Sequence, residues 1–155
     1  MPAAVPLQDI VDALQGQMDD ALSFVNVDTG EVIANMPRHV MGLAEESGED
    51  EEVPDDVDDD EWERAREIAG SDRYQRLPTA FDIHEWEIMR EFAESVEQGG
   101  IRRELFGAVR GSGAFRHFKS TIRRHGIEPA WWEFRDRALR EIAIAWCEEN
   151  EIRWE

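Results

Sequence analysis

Apolar positions at two different periods divide the chain. Leu7, Ile10, Val11, Leu14 and Met18 recur at helical spacing behind Pro6, a residue suited to a first turn, and predict a helix over about 6–17. Leu22–Val27 and Glu31–Met36 are short β-favouring runs. Asp28-Thr29-Gly30 joins them, and Gly30 can take positive φ, so the pair predicts a hairpin. A lone hairpin is marginal in water. The run Arg73–Leu77, closed by Pro78, supplies the expected third strand.

From residue 62 the period is helical. Trp62–Ala69 predicts a short helix. Asp82 lies three residues before Glu85, a capping-box spacing, and Ile83, Trp86, Met89, Phe92, Ala93 and Val96 carry an amphipathic helix to about Glu97, where Gly99-Gly100 stops it. Ile101–Val109 and residues 113–125 follow, the latter closed by Gly126. Pro129 opens the last helix, with Trp131, Phe134, Ala138, Leu139, Ile142, Ala145 and Trp146 on its apolar face. The fold class is therefore α+β: an N-terminal helix, a small antiparallel sheet and a C-terminal half of about four helices. At 155 residues the expectation is a single domain.

Charge changes this picture in two places. Residues 45–61 hold twelve Asp/Glu and no Lys or Arg, broken by Gly48 and Pro54, which predicts an acidic, mobile insert. Asp56, Asp58 and Asp60 alternate as in a calcium loop, but Glu61 stands where the sharp turn requires glycine. The formal net charge of −19 disfavours generic binding to nucleic acid or anionic membrane. Against that background, residues 101–140 carry ten Lys/Arg and four Asp/Glu.

This basic stretch holds the candidate site. At 100° per residue, Arg116, Lys119 and Arg123 share one stripe beside an apolar face of Phe115, Phe118 and Ile122. Arg110 and Gly111-Ser112-Gly113 precede them, with Ser112 as the expected N-cap, so free N–H groups and cations meet as an anion site requires. The ordinary alternative is a solvated face whose arginines pair with the chain's own acids. Arg135 sits among Trp131, Trp132, Ala138, Leu139 and Ile142, which calls either for a buried carboxylate partner or for an external anion.

Catalytic patterns are sparse. His39, His84, His117 and His125 show no metal-ligand spacing to Cys147, and Ile88 stands where a zinc helix opened by His84-Glu85 needs its second histidine. No catalytic residue, metal or cofactor is expected. Cys147 reads as a packing residue, and a single cysteine fits a reducing compartment. With no leader pattern and no long apolar run, the expectation is a cytoplasmic protein without a membrane span.

Gly111-Ser-Gly-Ala-Phe-Arg-His-Phe-Lys119, Trp131-Trp-Glu-Phe-Arg135 and Ala145-Trp-Cys-Glu-Glu-Asn150 together resemble a bacterial family catalogued as uncharacterised, UPF family 0158. Leu7–Val11, Ser23–Asn26, Thr29–Val32 and Arg73–Pro78 share the likeness. The resemblance implies a common domain and no activity. Three function classes stay open: an interaction or regulatory module with a protein partner, or with a phosphate-like anion or nucleic acid, on its basic face; an acidic inhibitor that mimics nucleic acid; and an enzyme whose site the sequence does not display.

Overall fold

The hairpin forms where the alternation places it. In the computed structural model, which describes residues 3–48, 52–110 and 113–155, β1 (Ala21–Asn26) pairs antiparallel with β2 (Val32–Pro37) on one edge and β3 (Tyr74–Arg76) on the other. Asn26 organises the turn: its Oδ1 accepts from the N–H groups of Asp28 at 2.9 Å and Thr29 at 3.2 Å. Gly30 takes φ +77°, and a Cβ there would stand 2.8 Å from the Ala4 carbonyl oxygen, so glycine is required twice over. Ahead of the sheet, α1 (Leu7–Gln15) buries Leu7, Ile10, Val11 and Leu14, as its spacing predicts.

The chain divides into two compact units, Met1–Ala80 with Ala143–Glu155, and Phe81–Ile142. In the first, α2 (Arg38–Glu46) and α3 (Asp59–Ala69) join Phe24, Ile33 and Met36 of the sheet in one core, through Val40, Met41, Ala44, Trp62, Ala65 and Ile68. The sequence reading has no counterpart of α2. It also takes residues 45–61 as one insert, whereas both ends of that run lie in helices. Glu45 and Glu46 close α2, and Asp59, Asp60 and Glu61 form the first turn of α3. The side chain of Asp58 caps that turn, accepting from the N–H groups of Asp60 and Glu61. The cause is electrostatic: free N–H groups and the positive end of the helix dipole favour carboxylates there. Val57 is buried and ties the run to the core. Residues 49–51 of the acidic run lie outside the described residues.

The second unit is helical. A single turn, α4 (Ala80–Ile83), leads through His84 at φ 56° into α5 (Glu85–Ser95), followed by α6 (Gly99–Ala108), α7 (Ala114–Arg124) and α8 (Glu128–Glu149), whose residues to Ile142 belong to this unit. Asp82 does not take the N-cap position that a capping box requires, because it lies inside α4. His84 occupies the N-cap position without a side-chain hydrogen bond, and the Glu85 carboxylate is held by Arg135. The core is aromatic: the Trp131 ring lies edge-on to Phe118 at 4.8 Å and to Phe92 at 5.5 Å, and Phe134 lies 5.4 Å from Phe92. Among the described residues no helix is long and apolar enough to cross a membrane.

Candidate functional site

α7 is strongly two-faced, since Phe118, Thr121 and Ile122 are buried while Arg116, Lys119, Arg123 and Arg124 lie outside the core. Gly113, at φ 74°, holds its N-cap position without a side-chain bond; the expected cap Ser112, with Gly111, lies outside the described residues. Gly113 and Arg110 are exposed.

The predicted stripe of cations divides according to what each one meets. Arg123 Nε pairs with Glu128 Oε2 at 3.1 Å, across the turn into α8. On the opposite flank, Arg124 Nη2 reaches Glu104 Oε2 of α6 at 2.8 Å, and His125 Nε2 meets the same oxygen at 2.5 Å. These two contacts hold the Glu104 carboxyl below its ordinary pKa, the His125 hydrogen bond contributing most. Arg135 Nε donates to Glu85 Oε1 at 2.6 Å, with Nη2 3.5 Å from Oε2. Burial leaves 16% of the arginine side chain exposed, and its guanidinium lies 5.9 Å from the centre of the Trp132 ring. The sequence alternatives for Arg135 thus meet a specific internal carboxylate.

Arg110, Arg116 and Lys119 differ. None has an ion-pair partner among the described residues. The Lys119 ammonium sits 4.6 Å from the Phe115 ring centre and 5.3 Å from that of Trp132. Phe115 is 48% and Trp132 43% exposed, so the cation lies between two half-uncovered rings. Trp132 is fixed in turn, because its Nε1–H donates to Glu128 Oε1 at 3.3 Å.

Sequence reasoning placed Phe115 on the apolar face with Phe118; the structure turns it outward beside Lys119. Trp132 was legible only as a neighbour of Arg135, although it follows the buried Trp131 by one residue and so points about 100° away from the core. Glu104 and Glu128 carry no signal among 36 acids, and Glu85 is marked in the sequence only by its capping-box spacing, not as a partner of Arg135.

Two concave surfaces elsewhere are more committed. A groove between α6 and α7 is lined by Glu104, Gly107, His117 and Arg124, and its charged ends already pair with each other. A broad concavity on α3 is lined by Glu52, Asp60, Glu63 and Glu67, and its arginines are engaged, Arg64 by Glu31 and Arg66 by the Gly48 carbonyl. Among the described residues no group of His, Cys, Asp and Glu is arranged to hold a metal. Burial pushes the Cys147 thiol up to about 11, as befits a packing residue.

A family model described as an uncharacterised protein family (UPF0158) matches residues 49–155, a span that includes Arg73–Pro78 and every residue of the α7–α8 surface. The N-terminal stretches that share the resemblance fall outside the match. No curated protein and no solved structure matches the chain.

Proposed function

Since the chain belongs to the uncharacterised protein family UPF0158, a membership that brings no activity with it, we propose from its geometry that it is a non-enzymatic binding or regulatory module. Its working surface is the outer side of α7 with the first turns of α8, and what it takes is an anion. The observation that supports this reading is Lys119. In a chain of net charge −19, three neighbouring arginines have found carboxylates while this ammonium has none among the described residues. A cation–π contact at an exposed site contributes about 0.5–1 kcal/mol, less than a charge-assisted hydrogen bond at roughly 1.5–3 kcal/mol. The rings therefore position the ammonium without using up its three donors. Arg116, exposed on the same side of α7, and Arg110 before it add two further uncommitted charges.

Thermal unfolding with and without inorganic phosphate tests this. Phosphate raises the melting temperature of the wild type and leaves the Lys119→Met/Arg116→Gln double variant unmoved, because a ligand stabilises only the folded state that binds it. Equal shifts in both proteins, or none in either, would contradict the proposal.

One observation favours a second reading. The whole net charge lies in the first unit, which has six Lys/Arg against twenty-five Asp/Glu, while the second has eleven of each. An acidic surface of that density suits a basic partner, as a mimic of nucleic acid. Binding of this kind weakens steeply with salt and falls when Asp58, Asp59, Asp60 and Glu61 are amidated. Salt-insensitive binding to a basic protein would discard it.

A further inference from the structure

We infer that the anion taken by the Lys119 surface carries a flat ring, in the manner of a nucleoside monophosphate, and that the ligand is small. The inference rests on the anion-binding reading above and adds the chemistry of the rest of the ligand. Bare phosphate would use Lys119 and leave the two rings beside it wet. Phe115 and Trp132 are two half-exposed rings set against an ammonium that has no ion-pair partner among the described residues. Trp132 is held by the Glu128 carboxylate at its Nε1–H and by the Arg135 guanidinium, itself locked on Glu85. Phe115 is tied to the same ammonium. A planar group joined to a phosphate meets ring and cation at once, and Trp132 loses little freedom on binding because it is already held.

Charge sets the size. The second unit is neutral, with eleven basic and eleven acidic residues, so one or two added negative charges meet no local excess of acid. A long polyanion instead meets the field of a chain at −19, which opposes it as strongly as it opposes nucleic acid in general.

Calorimetric titration with adenosine monophosphate, ribose 5-phosphate, inorganic phosphate and a single-stranded oligoadenylate separates the possibilities. Adenosine monophosphate binds about tenfold or more tighter than ribose 5-phosphate, the increment that stacking of one base provides. Phe115→Leu and Trp132→Leu each remove a flat ring at an exposed position. They bring the nucleotide down by about tenfold or more, while ribose 5-phosphate, which has no base to stack, loses distinctly less. The oligonucleotide binds no tighter than the mononucleotide. Equal affinity for nucleotide and ribose 5-phosphate would overturn the ring and leave the anion site standing. So would an equal loss for both ligands in the two leucine variants, since the rings would then only hold Lys119. A much tighter oligonucleotide would overturn the small ligand in favour of a single-stranded polymer. If none of the four binds, the anion site itself is wrong, and the ring goes with it.

Discussion

Arg135 has its charge on a helix face that otherwise enters the core, and a single carboxylate, Glu85, makes this tenable. The pair is only partly enclosed, with 16% and 27% of the two side chains exposed, so water screens some of its energy. Arg135→Ala is therefore expected to cost about 1–3 kcal/mol in urea unfolding, below the roughly 3–5 kcal/mol of a fully buried pair broken on one side. Replacing both partners, as Arg135→Met with Glu85→Leu, recovers most of that loss, because no lone charge is left behind. Equal losses in the single and double variants would show that the pair is not what holds this position. The need for a partner was legible in the sequence, from a guanidinium placed among Trp131, Leu139 and Ile142. Which acid answers it was not, because Glu85 lies fifty positions away and sequence spacing carries no long-range contact.

Elements behave differently, since their signals are local. The hairpin and third strand were legible because alternation and Gly30 specify them within a few residues. α2 has no boundary signal of its own, although Val40, Met41 and Ala44 have helical spacing, because its first turn follows β2 without a break. The acidic run misleads for a related reason: composition alone suggests a loop, but three acids at a helix N-terminus are stabilising. Asp58→Ala is expected to lower stability by about 1 kcal/mol through loss of the cap on α3. An unchanged unfolding midpoint would mean that the helix starts without it. The clasp between α6 and α7 gives a pH signature. Glu104 has its pKa lowered by His125 and Arg124, so its contribution is present above the ordinary value of 4.5 and lost as pH falls through the lower folded value. Glu104→Gln should thus be less stable than wild type at neutral pH, and the two curves should converge below 4.5. A gap that stays constant into acid would remove the clasp.

At the scale of the whole molecule the main feature is the partition of charge. All of the net −19 belongs to residues 1–80 and 143–155, and the neutral second unit contains Arg110, Arg116 and Lys119, which have no ion-pair partner among the described residues. The sequence displays the basic cluster but not its division, because four cations spaced along one helix look alike until the acids of α6 and α8 take two of them. The central claim is that commitment to an internal carboxylate separates structural cations from the binding one. Calorimetric titration of inorganic phosphate into the wild type, Lys119→Met and Arg124→Met tests it most directly. Arg124, already paired with Glu104, is the internal control. Phosphate binding is expected to be lost in Lys119→Met and kept in Arg124→Met; loss in Arg124→Met with retention in Lys119→Met would show that pairing with a carboxylate does not mark the structural cations.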